Sequence, residues 1–318
     1  MQDNPRLVSP RTWADPGFVL SPFATDPYPV VCMQPDRLLQ SRFIPENADP
    51  AKVDLPGDAA QREAHLKRVG DALEAIKKGE LEKVVLARAL PVPLDADPFR
   101  VFEKFLSYYP AAFCYLWDHP ATGMWMGATP ELLLAYQGNT ARTVSLAGTL
   151  PASGEEPPAW GAKESHEQQV VTDYICARIR EQGLDPVSGN TEAVRAGSLW
   201  HLRTPVSIRA GAGQLDRLLR ALHPTPAVCG FPLGEARAFI ASHESFDREY
   251  YTGFLGESGL EEPGAFSFFV NLRCMKIRNR EAILFVGGGI TAASDPVREW
   301  EETRQKSRTV WAAIKNSG

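Results

Sequence analysis

No basic run interrupts this 318-residue chain, and its net charge is −5. The counterion release that drives nucleic-acid binding therefore has no source here. No apolar stretch approaches the ~20 residues that a bilayer-spanning helix needs, and the N-terminal MQDNPRLVSPRTWADP lacks the basic-then-apolar order of an export signal. Nor do the five cysteines, Cys32, Cys114, Cys176, Cys229 and Cys274, pair as CxxC. An odd set of isolated thiols fits reduced core residues in a cytoplasm better than a disulfide framework or a zinc site. Internal repeats and low-complexity linkers are also missing, which excludes solenoids and flexible tethers. What is left is a soluble chain, 44% apolar and 23% charged, long enough to bury a large core, with small molecules as its expected partners.

Residues 1–58 are proline-rich and aperiodic, and are expected to form a short N-terminal edge ahead of a main domain over 59–318. From Ala60, Leu66, Val69, Leu73 and Ile76 recur at helical spacing until Lys78-Gly79 ends the run. LEKVVLARALPVPL then reads as a strand and is followed by a helix with Phe99, Phe102 and Phe105 on one side. AAFCYLW, GMWMGA, ELLLAYQ and ARTVSLAGT form an expected meander, with turns at DHPATG and QGNT. A helix is expected over about 163–182. FSFFVNLRCMKI and AILFVGGGI make a hairpin through RNRE, and a last helix spans about 296–315 with Trp300, Thr303, Ser307, Val310, Trp311 and Ile314 on its stripe. Neighbouring strands joined by turns, with helices between groups, predict an α+β fold with large antiparallel sheets.

Two short segments concentrate carboxylates: KESHE at 163–167 and EWEE at 299–302. Glu164 with Glu167, and Glu299 with Glu302, are three residues apart, so each pair shares a helical face. Val170, Val171 and Tyr174 follow Glu167 on what reads as the buried stripe, and Glu299 shares a face with Thr303, Lys306 and Val310. Oxygen ligands from two helices suit Mg²⁺, which keeps several waters and takes one or two carboxylates plus an anionic substrate. First-turn glutamates answering the helix dipole, paired with Lys163 and Lys306, would give the same spacing.

Four further features bear on chemistry. Lys83 opens the strand VVLARAL, where apolar shielding would let it serve as a base; a solvated lysine is the plain alternative. Glu131 in GATPELLL stands between a turn and an apolar run, either as an acid or as an edge-strand charge. Gly287, Gly288 and Gly289 read as a loop whose amides could cradle a carboxylate or phosphate, although the spacing matches neither a P-loop nor a dinucleotide fingerprint. Arg273, inside the apolar run FFVNLRCM, calls for an anion, either a ligand or a structural partner.

Taken in order, KVVLAR, GATPELLL, SLAGT, KESHEQQVV, HPTPAVCGFP, SHESFDREYYTG, FVNLRC, GGGI and SDPVREWEETRQK resemble the chorismate-binding enzymes, over roughly residues 62–315. That family comprises isochorismate and salicylate synthases and the large chains of anthranilate and aminodeoxychorismate synthases. The resemblance implies a single α+β domain of two large antiparallel sheets flanked by helices, with chorismate and Mg²⁺ in a cleft. By motif position it implies Glu167 and Glu302 as direct magnesium ligands, with Glu164 and Glu299 supporting them through water. It makes Lys83 the general base and Glu131 the general acid. Arg273, Lys306 and the amides of Gly287 to Gly289 would hold substrate carboxylates, and Gly148, Thr149, His201 and Tyr251 would line the site. Members that add ammonia usually lack the lysine at position 83, and Ala147 stands where the aminodeoxychorismate branch often has a nucleophilic lysine. Ala227 stands where salicylate synthases tend to have threonine. The expected activity is therefore that of a cytoplasmic, monomeric isochorismate synthase, with salicylate synthase the alternative. Isochorismate opens menaquinone, siderophore and salicylate routes alike.

Overall fold

The computed structural model describes residues 7–8, 13, 15–45, 53, 55, 59–152, 155–196 and 199–317. In chain order the first half forms β1 (Leu7–Val8), β2 (Gly17–Ser21), β3 (Val31–Met33), α1 (Ala59–Lys77), β4 (Lys83–Pro93), α2 (Pro98–Tyr108), β5 (Phe113–His119), β6 (Gly123–Thr129), β7 (Leu132–Gln137) and β8 (Thr140–Pro151). The second half continues with α3 (Ala162–Glu181), β9 (Pro186–Ser188), β10 (Glu192–Ala196), β11 (Leu199–Arg209), α4 (Leu215–Leu222), β12 (Gly230–Phe231), α5 (Leu233–His243), β13 (Phe254–Ser258), β14 (Phe266–Val270), β15 (Cys274–Arg278), β16 (Glu281–Thr291) and α6 (Pro296–Lys315). Residues 46–52 of the proline-rich segment lie outside the described residues.

The described residues fall into two compact units, each built on one antiparallel sheet. The first draws on Met1–Gln40, Pro130–Thr225 and Arg248–Asn271. Its ten described strands run β1-β3-β2-β13-β14-β7-β8-β11-β10, with β9 added on β11, and α3 packs on β8 and β11. Trp13 packs edge to face on Phe254 of β13 and Phe268 of β14, at 5.7 and 5.9 Å. The second draws on Ser41–Thr129, Pro226–Asp247 and Leu272–Gly318, with its described strands in the order β12-β4-β16-β15-β6-β5. Two antiparallel sheets with flanking helices are the α+β class expected from the sequence.

In the second unit the core lies between the small sheet and α2 and α6. Leu90, Val101, Phe105, Met126, Met275, Leu284, Val310, Trp311 and Ile314 are all buried there. From Val84 to Arg88, β4 is buried without alternation, as expected of a strand covered on both faces; α1 and α5 both pack against it. Both α2 and α6 start on an Asp-Pro pair. Asp97 accepts from Phe99 N, Asp295 accepts from Val297 N and Arg298 N, and the proline fills the first turn, where no donor is needed. The Asp295 cap fixes where α6 begins, and hence the facing of every later residue in it.

Four expectations are corrected. The meander from β5 to β8 is two hairpins in different sheets, β5–β6 in the small one and β7–β8 in the large one. The break comes at Thr129-Pro130, because proline has no N–H to extend a ladder. FSFFVNLRCMKI is likewise two strands, interrupted at Asn271 to Arg273. There Asn271 Nδ2 donates to Tyr250 O at 2.9 Å and Arg273 adopts φ +48°, which no strand accommodates. In α1 the buried residues are His65, Val69, Ala72 and Ala75, so the inward stripe lies one residue back from Leu66, Leu73 and Ile76. In α2, similarly, Val101 and Phe105 are buried while Phe99 is 67% exposed. No described helix is long and apolar enough to cross a membrane.

Candidate active site

In the second unit, three successive glycines on β16 each stand against an ionisable side chain. Gly287 to Gly289 are not a loop: they pair with Ala87, Leu86 and Val85 of β4. The apolar residues before them simply continue the strand, and the helix starts only at Pro296. The other edge of β16 pairs with β15 only as far as Leu284, so the glycine stretch keeps a single described ladder. A Cβ on Gly289 would lie 2.9 Å from Lys83 Cε and 3.6 Å from its Nζ; the lysine side chain occupies the space that glycine leaves. A Cβ on Gly288 would lie 3.3 Å from Glu299 Oε2 and 3.8 Å from Glu302 Oε1, which brings both α6 carboxylates within 4 Å of one point above the strand. Gly287 O accepts from Lys306 Nζ at 3.0 Å, and the same amine donates to Glu302 Oε1 at 2.7 Å.

One turn beyond Lys306, Thr309 extends this row. Arg273 Nη1 donates to Thr309 Oγ1 at 2.7 Å, and the Tyr109 hydroxyl donates to Thr309 O at 3.0 Å. Burial pushes the Tyr109 phenol up to about 12, against the pull of the Arg273 charge. Arg273 is thus anchored from a left-handed corner between strands rather than from within a buried strand as the sequence reading has it. Thr309 and Tyr109 carry no sequence signal of their own; their role follows from where Arg273 lands. Ala227, half-buried, lies in the turn before β12.

In the first unit, Gly148 is the unmatched residue of a β-bulge. Thr149 pairs with His201 and Ala147 with Leu202, and Gly148, at φ +61°, falls between them, a backbone setting that favours glycine. A Cβ there would also meet Glu164 O at 3.0 Å, so α3 starts directly on the bulge. Thr149 Oγ1 and His201 Nδ1 are 3.0 Å apart across the strand pair. Glu131 is half-buried where the chain enters β7, and its carbonyl accepts from Val270 N at 2.9 Å. Tyr251 is 3% exposed, with its N–H on Arg248 O at 2.8 Å.

On α3 the inward stripe is Gln168, Val171, Thr172, Ile175, Cys176 and Ile179, while Val170 is 52% exposed. Glu164 and Glu167 flank that stripe, half-buried. Glu164 Oε2 accepts from Gly161 N at 3.1 Å, closing the first helical turn. The residue that the sequence reading passes over is Gln168. Its Oε1 accepts from Ala147 N at 2.8 Å, and its Nε2 donates to Ser145 O, Ser145 Oγ and Thr204 Oγ1 at 2.7–3.1 Å. This amide clamps α3 to β8 and fixes the direction in which Glu164 and Glu167 point. The pattern Gln168, Thr172, Ile175, Ile179 could have shown it. Gln168→Ala is expected to cost about 2–4 kcal/mol, because it leaves a half-buried N–H and two buried hydroxyls short of a partner. Thermal denaturation beside the wild type measures this, and an unchanged midpoint would remove the clamp from the account.

Among the described residues no three His, Cys, Asp or Glu side chains form a ready metal cage. The α6 pair above Gly288 is nevertheless an oxygen-only donor set. That chemistry fits a hard cation such as Mg²⁺, which takes few protein ligands and fills the rest of its octahedron with water and substrate.

A family model described as chorismate binding enzyme matches residues 33–315. The isochorismate synthase EntC of Escherichia coli (strain K12) is 33% identical over 243 residues, 73% of this chain and 62% of its own length. The salicylate biosynthesis isochorismate synthase of Pseudomonas aeruginosa is 34% identical over 280 residues, 82% of this chain and 57% of its own. The chain therefore spans about three fifths of the length of these curated relatives. Its structure is similar to that of DhbC from Bacillus anthracis, with a TM-score of 0.79 and 27% identity over 94% of this chain and 84% of that one.

Proposed function

Because the chain belongs to the chorismate binding enzyme family, we propose that it is an isochorismate synthase, which adds water at C2 of chorismate and releases the C4 hydroxyl as water. The observation that carries this reading is Lys83, laid across Gly289 beside the Gly288 carboxylate pair. A water-adding enzyme needs a base at such a position, and members that add ammonia usually have no lysine there. Lys83 takes a proton from the water attacking C2, and Glu131 gives one to the departing hydroxyl. One water enters and one leaves, so the substrate is isomerised and no redox partner is needed.

Lys306, Arg273 and the amides of Gly287 to Gly289 hold the substrate's carboxylates, and a guanidinium suits a carboxylate through its paired donors. Gly148, Thr149, His201, Ala227 and Tyr251 shape the remaining surface. Glu167 and Glu302 would hold Mg²⁺ directly, and Glu164 and Glu299 through water. When bound, the ion supplies positive charge that neutralises the C1 carboxylate. Five cysteines outside any disulfide, four of them buried, support a reducing cytoplasm as the place of action, and a monomer is the proposed working form.

The deciding experiment is chromatography with mass detection of chorismate incubated with the protein, in Mg²⁺ and in chelator, without ammonia. Isochorismate formed only in Mg²⁺ is the expected result. Pyruvate released in step with chorismate loss would make the chain a salicylate synthase, and unchanged chorismate in Mg²⁺ would refute the proposal.

A further inference from the structure

The second unit buries a group of basic side chains that no step of the proposed reaction uses. Arg88, in the continuously buried part of β4, is 5% exposed, and its guanidinium lies 3.9 Å above the Trp300 ring centroid. His65 of α1 is 1% exposed, and its ring centroid stands 5.9 Å from that of the same indole. Arg68, nearly one turn along α1, is half-buried beside them. Among the described residues, neither ring nitrogen of His65 nor the Nε of Arg68 or Arg88 has a hydrogen-bond partner.

Such groups are buried at high cost unless something answers them. The nearby acids have other engagements: Glu244 Oε1 accepts from Ala87 N at 2.7 Å, and Glu301 pairs with Arg304 at 3.2 Å on the exposed side of α6. The stack on Trp300 uses the face of the Arg88 guanidinium and leaves its in-plane Nε–H unspent. Burial, then the charges of Arg88 and Arg68, push the His65 imidazole down to about 3, so at neutral pH it is an uncharged ring with one N–H to give. Burial and the neighbouring Arg68 likewise lower Arg88 to about 10. With His65 neutral, Arg68, Arg88 and Arg304 face Glu244 and Glu301, which leaves one positive charge in excess.

We propose that Arg88, Arg68 and His65 form a binding site for a small oxyanion of the phosphate or sulfate class, separate from the residues assigned to chorismate. Two guanidiniums on different elements offer paired donors suited to oxyanion geometry, and His65 adds a neutral donor. Arg68, the least buried of the three, marks the entrance. Trp300 stands between Glu299 and Glu302 in the chain, so an anion held against Arg88 braces the turn of α6 that carries both carboxylates.

The test is thermal denaturation of the full chain titrated with inorganic phosphate at constant ionic strength, with chloride making up the balance. A saturable rise in Tm is expected for the wild type, as for any ligand that binds only the folded state. It should be lost in Arg88→Met and Arg68→Met and kept in Arg273→Gln. If Arg88→Met does not fold, Arg68→Met decides alone. No rise in the wild type, an equal rise with chloride, or a rise that survives Arg68→Met would overturn the site. A rise that vanishes only in Arg273→Gln would move the anion to the substrate residues and overturn it as well.

Discussion

Lys83→Gln should lower kcat on chorismate by roughly 10²–10⁴-fold, the usual share of a positioned general base, and leave KM nearly unchanged. The side chain lies over Gly289, a residue with no Cβ to exclude it, and glutamine keeps polarity while losing the amine. Because Lys83 is only half-buried at the first position of β4, the exchange creates no cavity and Tm should stay close to that of the wild type. Gly289→Ala approaches the same atom from the other side. A Cβ there would sit 2.9 Å from Lys83 Cε, and the flexible end of the lysine can yield, so the protein folds but the amine is displaced. Steady-state kinetics on both variants should show a loss in kcat well beyond any loss in stability. Should Lys83→Gln turn over at the wild-type rate, the base lies elsewhere and the reading of β4 as the catalytic strand fails.

The glycines show how much of the candidate site could be read from sequence. Their identity and order were plain, yet FVGGGI gives no periodicity by which to tell a strand from a loop, because glycine has no side chain to alternate. The structure places them in a full β4 ladder, where the space they leave takes Lys83 and the α6 carboxylates. Similarly, α6 is fixed by an Asp-Pro start and an apolar stripe, so its bounds and the facing of Glu299 and Lys306 follow from local rules. On α3 the stripe is set by a buried amide. Gln168 reads as polar surface until its four partners are seen, and so the periodicity of Val170, Val171 and Tyr174 misled by one position. The change of sheet at Thr129-Pro130 and at Asn271–Arg273 was hidden for another reason. Strand pairing is non-local, and an apolar run interrupted for three residues looks continuous when only its hydropathy is read.

Glu302→Gln should weaken the Mg²⁺ dependence of the reaction by roughly 100-fold or more, since even an outer-sphere partner of a metal is commonly worth 10–100-fold in affinity. Glu302 shares the space above Gly288 with Glu299, and its carboxylate is tied to Lys306 at 2.7 Å. The substitution removes a hard anionic donor and also takes the charged partner from the Lys306 amine, which keeps its bond to Gly287 O at 3.0 Å, so KM for chorismate should rise as well. Glu299→Gln should weaken Mg²⁺ dependence less, within the 10–100-fold range of a water-mediated supporter. Glu301→Gln is the control: it is adjacent in the chain but exposed, and paired with Arg304 instead. Initial rates titrated with Mg²⁺ at saturating chorismate give the half-saturation of all three. If Glu302→Gln and Glu301→Gln share one Mg²⁺ curve, the α6 carboxylates are dipole and ion-pair residues only, and the cation has to be sought on other side chains.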